Sequence, residues 1–169
     1  MGKYVCILLL LFFFTNAGAQ CEYKNTAFKS GEVLTYNLYF NWQFIWITVG
    51  TATMEVEDAT YKGKKVYKGS LITRGNKRAD KYFVMRDTLL CYTTHELVPM
   101  YFRKGALEGK RYTVDQVWYT YNDGLPTLRQ HYRNKDGEVR KKTYKSDECV
   151  YAMMKLFLRA RSFNPKGWK

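Results

Sequence analysis

The sequence predicts an all-β protein, mainly antiparallel, built as a strongly curved sheet or partial barrel with one C-terminal helix. Three observations carry that prediction. Fifteen tyrosines and ten phenylalanines in 169 residues, set among valine, isoleucine and threonine, favour pleated, half-buried positions. Turn signals recur at short intervals, among them Lys62-Gly63, Arg74-Gly75-Asn76, Lys104-Gly105, Glu108-Gly109, Asp123-Gly124 and Asp136-Gly137. Asp-Gly between alternating residues is the strongest short-range hairpin signal. From Ser146 onward the period of two disappears and an apolar stripe at helical spacing takes its place.

The N-terminus reads as a leader. Lys3 precedes an apolar run over residues 5–14, and Ala17-Gly18-Ala19 supplies small residues at the end. That pattern predicts a secretory signal peptide cleaved after Ala19. The run is too short for the ~20 residues that span a bilayer. Cys21 follows Gln20 rather than a small residue, which argues against a lipid-bearing cysteine. Residues 20–169 are then expected to form a single β-rich domain, exported to the periplasm or beyond and without a transmembrane span.

The strands follow in order. The first is expected over 33–42, with Leu34, Tyr36, Leu38 and Phe40 on one face. Gln43-Phe44 makes a two-residue connection to the second, over 44–57. There Ile45, Ile47 and Val49 share one face, and Ala52, Met54 and Val56 share another of opposite parity. A strand that swaps its apolar face at Gly50 carries a bulge or bend at that point. The segment FNWQFIWITVG therefore reads as part of a long bent strand, not as a membrane span. Strands three and four are expected over 65–74 and 80–91, a short fifth over 99–103, and a sixth over 110–121. Strands seven and eight, over 127–133 and 138–144, flank Asp136-Gly137 in a strongly basic, exposed hairpin. A helix is expected over 147–161: Ser146 can cap it, Asp147 and Glu148 suit its positive end, and Val150, Met153, Met154, Phe157 and Leu158 form its apolar stripe. Asn164-Pro165 ends it.

Charge narrows the partners. Twenty-eight basic residues against fifteen acidic give a net charge of +13. Export argues against nucleic acid and leaves lipid headgroups, anionic glycans and envelope proteins. A basic surface with no specific partner is the competing reading, because most lysines are scattered among apolar residues. Cys21, Cys91 and Cys149 permit one disulfide and one free thiol in an oxidising compartment, and their spacing leaves the pairing open.

Several residues together resemble a known family. GEVLTYNLYFNW over 31–42 is followed by Trp46, Gly50 and Ala52. Then come Val84-x-Arg86-Asp87, Leu97-x-Pro99-x-Tyr101, Glu108-Gly109-x-x-Tyr112 and the 147–161 helix. In order and spacing these resemble the exported proteins of Gram-negative bacteria grouped as domain of unknown function 3108. The resemblance implies an exported, mostly antiparallel β-protein with no established activity. Members of that family carry further strands beyond the helix, whereas this sequence stops at FNPKGWK. That predicts a shortened sheet with an unpaired edge open to association.

Chemistry-bearing patterns are sparse. No nucleophile elbow, phosphate loop or zinc spacing occurs, and neither a cofactor nor a metal is expected. His95 beside Glu96, and His131 among arginines, are poor ligands. The candidate binding residues are Trp42, Trp46, Tyr82, Tyr101, Tyr112 and Trp118, which could line one curved wall with Tyr119 and Tyr121. Ordinary core and cross-strand packing is the alternative. The functional expectation is a non-enzymatic envelope-associated protein binding a lipid, glycan or protein partner, with peripheral membrane contact allowed. The rival is an envelope glycan hydrolase using Glu32 or Glu108 beside the aromatic wall, which would need two acids at a defined separation.

Overall fold

The structure, a computed structural model, describes residues 21–162, with Trp42 described by its backbone alone. The expected signal peptide and residues 163–169 lie outside the described residues. Eight strands run as β1 (Glu32–Trp42), β2 (Ile45–Tyr61), β3 (Lys64–Gly75), β4 (Met85–Thr93), β5 (Pro99–Glu108), β6 (Arg111–Asn122), β7 (Leu125–Arg133) and β8 (Val139–Lys145), followed by α1 (Met153–Arg161). Every strand pairs antiparallel with its sequence neighbours, in the order β1 to β8. The sheet stays open as a curved partial barrel, with β1 and β8 as its edges.

Local turn chemistry builds this meander. Lys62 and Gly63 have φ of 51° and 76°, and Asp123 and Gly124 have 51° and 77°. Positive φ at both central residues is the hairpin turn whose twist matches the strands. β8 is exposed along its whole length. Its Arg140, Lys141, Lys142 and Lys145 keep that free edge charged, which discourages pairing with another chain.

Three expected elements are corrected. β4 starts at Met85, not at residue 80. Asn76 Oδ1 accepts from the backbone N–H groups of Arg78 (3.0 Å) and Ala79 (2.9 Å), and this turns the chain into a single 3-10 turn, Ala79–Lys81. Arg86 then holds Asp80 in an ion pair. β5 runs for ten residues, so Lys104-Gly105 is strand and Glu108-Gly109 is the turn, with Gly109 at φ 64°. Gly105 lies under the Arg103 and Tyr112 side chains, where a Cβ would sit 3.1 Å from Arg103 Nη1 and 3.2 Å from Tyr112 Oη and displace those side-chain ends slightly. The helix starts at Met153, not at residue 147. Residues 147–152 are held out of helix by the Cys21–Cys149 disulfide, whose Cα atoms lie 5.4 Å apart. Ser146 Oγ accepts from Glu148 N, making a local turn in place of a helix cap.

The core lies on the helix-covered face. Met54, Val56, Leu89, Cys91, Phe102, Val117 and Leu128 meet Met154 and Leu158 of α1 there. Gly69 lets the helix approach: a Cβ would lie 3.0 Å from Cys91 Sγ and 3.4 Å from both Leu158 Cδ1 and Met154 Cε. The disulfide leaves Cys91 as the free thiol, buried, and burial pushes its pKa up to about 12. With Cys21 bridged, residues 21–28 strap across the helix, where Tyr23 Oη and Thr26 Oγ1 both donate to the Ser162 carbonyl.

Candidate functional site

The bend expected at Gly50 is present, and it creates the site. Leu38 pairs with Gly50 but Tyr39 pairs with Thr48, so Val49 is the extra residue of a bulge. A Cβ on Gly50 would lie 2.2 Å from the Arg74 carbonyl oxygen, so only glycine allows β2 and β3 to approach there. Asn76 secures the bulge from the β3 side. Its backbone N–H donates to the Val49 carbonyl at 2.8 Å and its side-chain amide to the Thr48 carbonyl at 2.6 Å.

Beyond this point β2 loses β3. The β2–β3 pairing stops at Gly50 and Gly75, while β1 and β2 pair four residues further, to Trp42 and Ile45. The result is a two-stranded ribbon standing roughly 14 Å beyond the sheet, at 3.4 Å per residue. Three side chains at its end stand in solvent: Phe44 is 96% exposed, Trp46 69% and Ile45 64%. An apolar groove of about 880 Å³ runs between the ribbon and the segment that crosses from β3 to β4. Phe40, Ile47, Val49, Tyr82, Phe83 and Met85 line it, with Arg78 and Lys81 at its margin. Arg78 and Lys81 take part in no ion pair among the described residues.

The six aromatic residues singled out in the sequence do not form one wall. Trp42 ends β1 in the ribbon, opposite Ile45. Trp46 lies on the ribbon's other face beside Lys77 and Arg78, and Tyr82 lines the groove. Tyr101 and Trp118 stand well away, on the sheet face opposite α1. There Tyr61, Tyr92, Tyr101, Trp118 and His131 form a cross-strand ladder, with Tyr61 and Tyr92 stacked at 4.6 Å and Trp118 and His131 edge-on at 4.8 Å. Gln116 Nε2 donates to Tyr101 Oη at 2.7 Å, and Tyr101 is buried. These rings face one another, the arrangement of cross-strand packing. Tyr112 sits apart, bonded to Arg103 and capped by the Arg133 guanidinium. Tyr119 is in the core, and Tyr121 Oη donates to the Pro99 carbonyl at 2.9 Å.

Sequence reasoning missed Phe83, Met85, Arg78 and Lys81. The signal for them was the uncharged run 39–49 close to the cationic 77–81, but only the bulge brings the two together.

The acidic candidates are not brought together. Glu32 is bound to Arg161 at 2.5 Å, and that hydrogen bond holds its carboxyl below the usual range. Glu108 pairs with Lys104 at 3.6 Å. By the strand register Glu108 lies six residues along β5 from Phe102, the row that contains Glu32. That is about 20 Å along the strand direction, against the ~5–9.5 Å that glycoside hydrolysis needs. His95 Nε2 lies 3.3 Å from Asp58 Oδ1 at the surface. Asp58 also meets Ser30, and hydrogen bonds from Ser30 and His95 lower its pKa. The carboxylate thus stands between serine and imidazole, so His95 is not placed to take the Ser30 proton. Asp87 lies within β4, where burial raises its carboxyl pKa. No group of three or more His, Cys, Asp or Glu suited to a metal occurs among the described residues, and none of their helices is long and apolar enough to cross a membrane.

Comparison with curated proteins and with solved structures finds no match. Residues 35–167 match a family described as protein of unknown function, DUF3108. The matched segment takes in the ribbon, the whole sheet from β2 onward and the helix, and the chain belongs to that family.

Proposed function

We propose that this is a non-enzymatic, exported binding module whose groove holds a single apolar chain with an anionic head. The observation that carries the reading is the apolar groove of about 880 Å³ with unpaired Arg78 and Lys81 at its margin. That volume falls in the range of small-molecule sites, which pair apolar walls with a few placed polar groups. Each buried methylene contributes about 0.8 kcal/mol. A chain of about fourteen methylenes contributes roughly 11 kcal/mol, and a headgroup near two cations adds about 1 kcal/mol each. Association costs at least about 4–5 kcal/mol. The balance, at most about 8 kcal/mol, corresponds to micromolar affinity at the tightest.

Export is supported by the leader pattern in residues 1–19, and the Cys21–Cys149 bridge suits an oxidising compartment. The test is displacement of a fluorescent fatty acid from the purified protein. Long-chain fatty acids are expected to bind in the micromolar range, with the corresponding alcohols weaker. Ala79→Trp, which fills the groove, should abolish binding. Wild-type protein that binds neither compound, or an Ala79→Trp variant that binds as well as wild type, would remove the reading.

A further inference from the structure

The ribbon poses a problem that the groove does not solve. An isolated two-stranded hairpin is marginal in water, yet here four residue pairs stand clear of the sheet. Residues 39–49 contain no charged side chain, in a chain that is 25% charged. Its apolar groups are distributed around the ribbon. Phe40, Ile45 and Ile47 occupy one face by register, Trp46 and Tyr39 the other, and Phe44 the tip. A protein partner or a second copy, docking on one face, would leave the other in water.

The neighbouring segment adds a ring of charge. Lys77 and Arg78 lie beside Trp46. Lys81 stands next to Tyr82, which is 91% exposed. Asp80, the one acid between them, is neutralised by Arg86. Aromatic side chains at an interface, with cations just behind them, match a bilayer whose headgroups are anionic: rings settle at the headgroup level and lysine and arginine meet the phosphates.

From this arrangement we infer that the β1–β2 ribbon is a membrane-docking wedge that inserts Phe44, Ile45 and Trp46 into the surface of an anionic bilayer. Lys77, Arg78 and Lys81 contact phosphate oxygens at the same time. The inserted side chains are separate from the groove, because Phe44 and Trp46 do not line it, whereas Arg78 and Lys81 border both.

The test is flotation of the disulfide-bonded mature chain with vesicles of phosphatidylcholine alone and of phosphatidylcholine mixed with phosphatidylglycerol. Wild-type protein partitions into the mixed vesicles, more weakly into the neutral ones, and less as salt rises. The double variant Phe44→Ser, Trp46→Ser loses at least about tenfold in partitioning to both. Lys77→Glu with Lys81→Glu loses the preference for mixed vesicles and keeps the weak neutral partitioning. The Phe44→Ser, Trp46→Ser variant binds the fluorescent fatty acid as wild type does, because neither residue lines the groove, which separates this inference from the groove reading. Unfolding midpoints of the tip variants equal to wild type show that the sheet is intact. Wild type that fails to float with mixed vesicles overturns the inference, as do serine variants that float unchanged. A vesicle-free dimer that the serine variants abolish, without flotation of wild type, overturns it in favour of a second copy as the occupant.

Discussion

Opening the Cys21–Cys149 bridge is the most informative single perturbation of the fold. The two cysteines are 128 residues apart, so the bridge closes nearly the whole described chain into one loop. In the chain-entropy account, cross-linking a loop of that length removes about 5 kcal/mol of unfolded-state freedom at 25 °C. Small proteins have about 5–15 kcal/mol in all, so the loss is a third or more of the total. Residues 21–28 are then held by Phe28 in the core and by a handful of bonds, among them Lys155 Nζ to the Cys21 carbonyl at 3.2 Å, Tyr23 N to the Glu96 carbonyl at 2.7 Å, and Tyr23 Oη and Thr26 Oγ1 to the Ser162 carbonyl. The assay is equilibrium urea unfolding of wild type and of Cys21→Ser, Cys149→Ser. With a urea slope of about 2 kcal/mol per molar, the midpoint should fall by about 1–2.5 M for a loss of 2–5 kcal/mol. Reductant added to wild type should reproduce the shift and leave the variant unaffected. Cys91, buried in the core, does not confuse the comparison. A variant with an unchanged midpoint and slope would refute the reasoning, because it would mean that the bridge is not formed or that the unfolded chain is already as restricted as the bridged one.

Two further outcomes test the interior. Burial lowers the Lys155 ammonium from 10.5 to about 7. Between those values the unfolded chain binds the additional proton, so stability should rise with pH from about 7, by up to about 1.4 kcal/mol per unit. Below pH 7 both states are charged and the gain is absent. The rise should be read below pH 9, because the raised Cys91 and buried tyrosines then oppose it. Lys155→Met should flatten the rise and be at least as stable at pH 7, as urea midpoints across pH will report; an unchanged slope would assign it to other groups. Gly50→Ala forces its Cβ against the Arg74 carbonyl. The expected cost is about 1–3 kcal/mol or more, with faster amide exchange in the 39–49 ribbon than in β5–β7, and equal protection in the two regions would count against a bend that depends on glycine.

Much of the fold was legible because its information is local. Asp123-Gly124 and Lys62-Gly63 fix their own backbone, and alternation along each strand identifies its two faces. The failures share one cause, a partner distant in sequence. Residues 147–152 read as helix because nothing nearby shows that Cys149 is bridged to Cys21. Residues 80–84 read as strand because the capping role of Asn76 depends on its side chain. Lys104-Gly105 read as a turn because a glycine after a lysine looks like one locally, whereas the pairing of Gly105 with Val114 of the next strand keeps it in the ladder. At the site, alternation placed Ile47 and Trp46 on opposite faces, but it carries no information on whether either face has a neighbour.

Chain-local chemistry settled the class of this protein: eight strands, their succession of hairpins, the bend at Gly50 and a helix at the end. It did so because turns and pleats are decided within a few residues. The folded arrangement alone decided that β3 ends where the bulge begins. That termination leaves an uncharged ribbon in water and sets Arg78 and Lys81 beside an apolar groove. Exposure is a property of what lies across space, and no pattern along the strand records it.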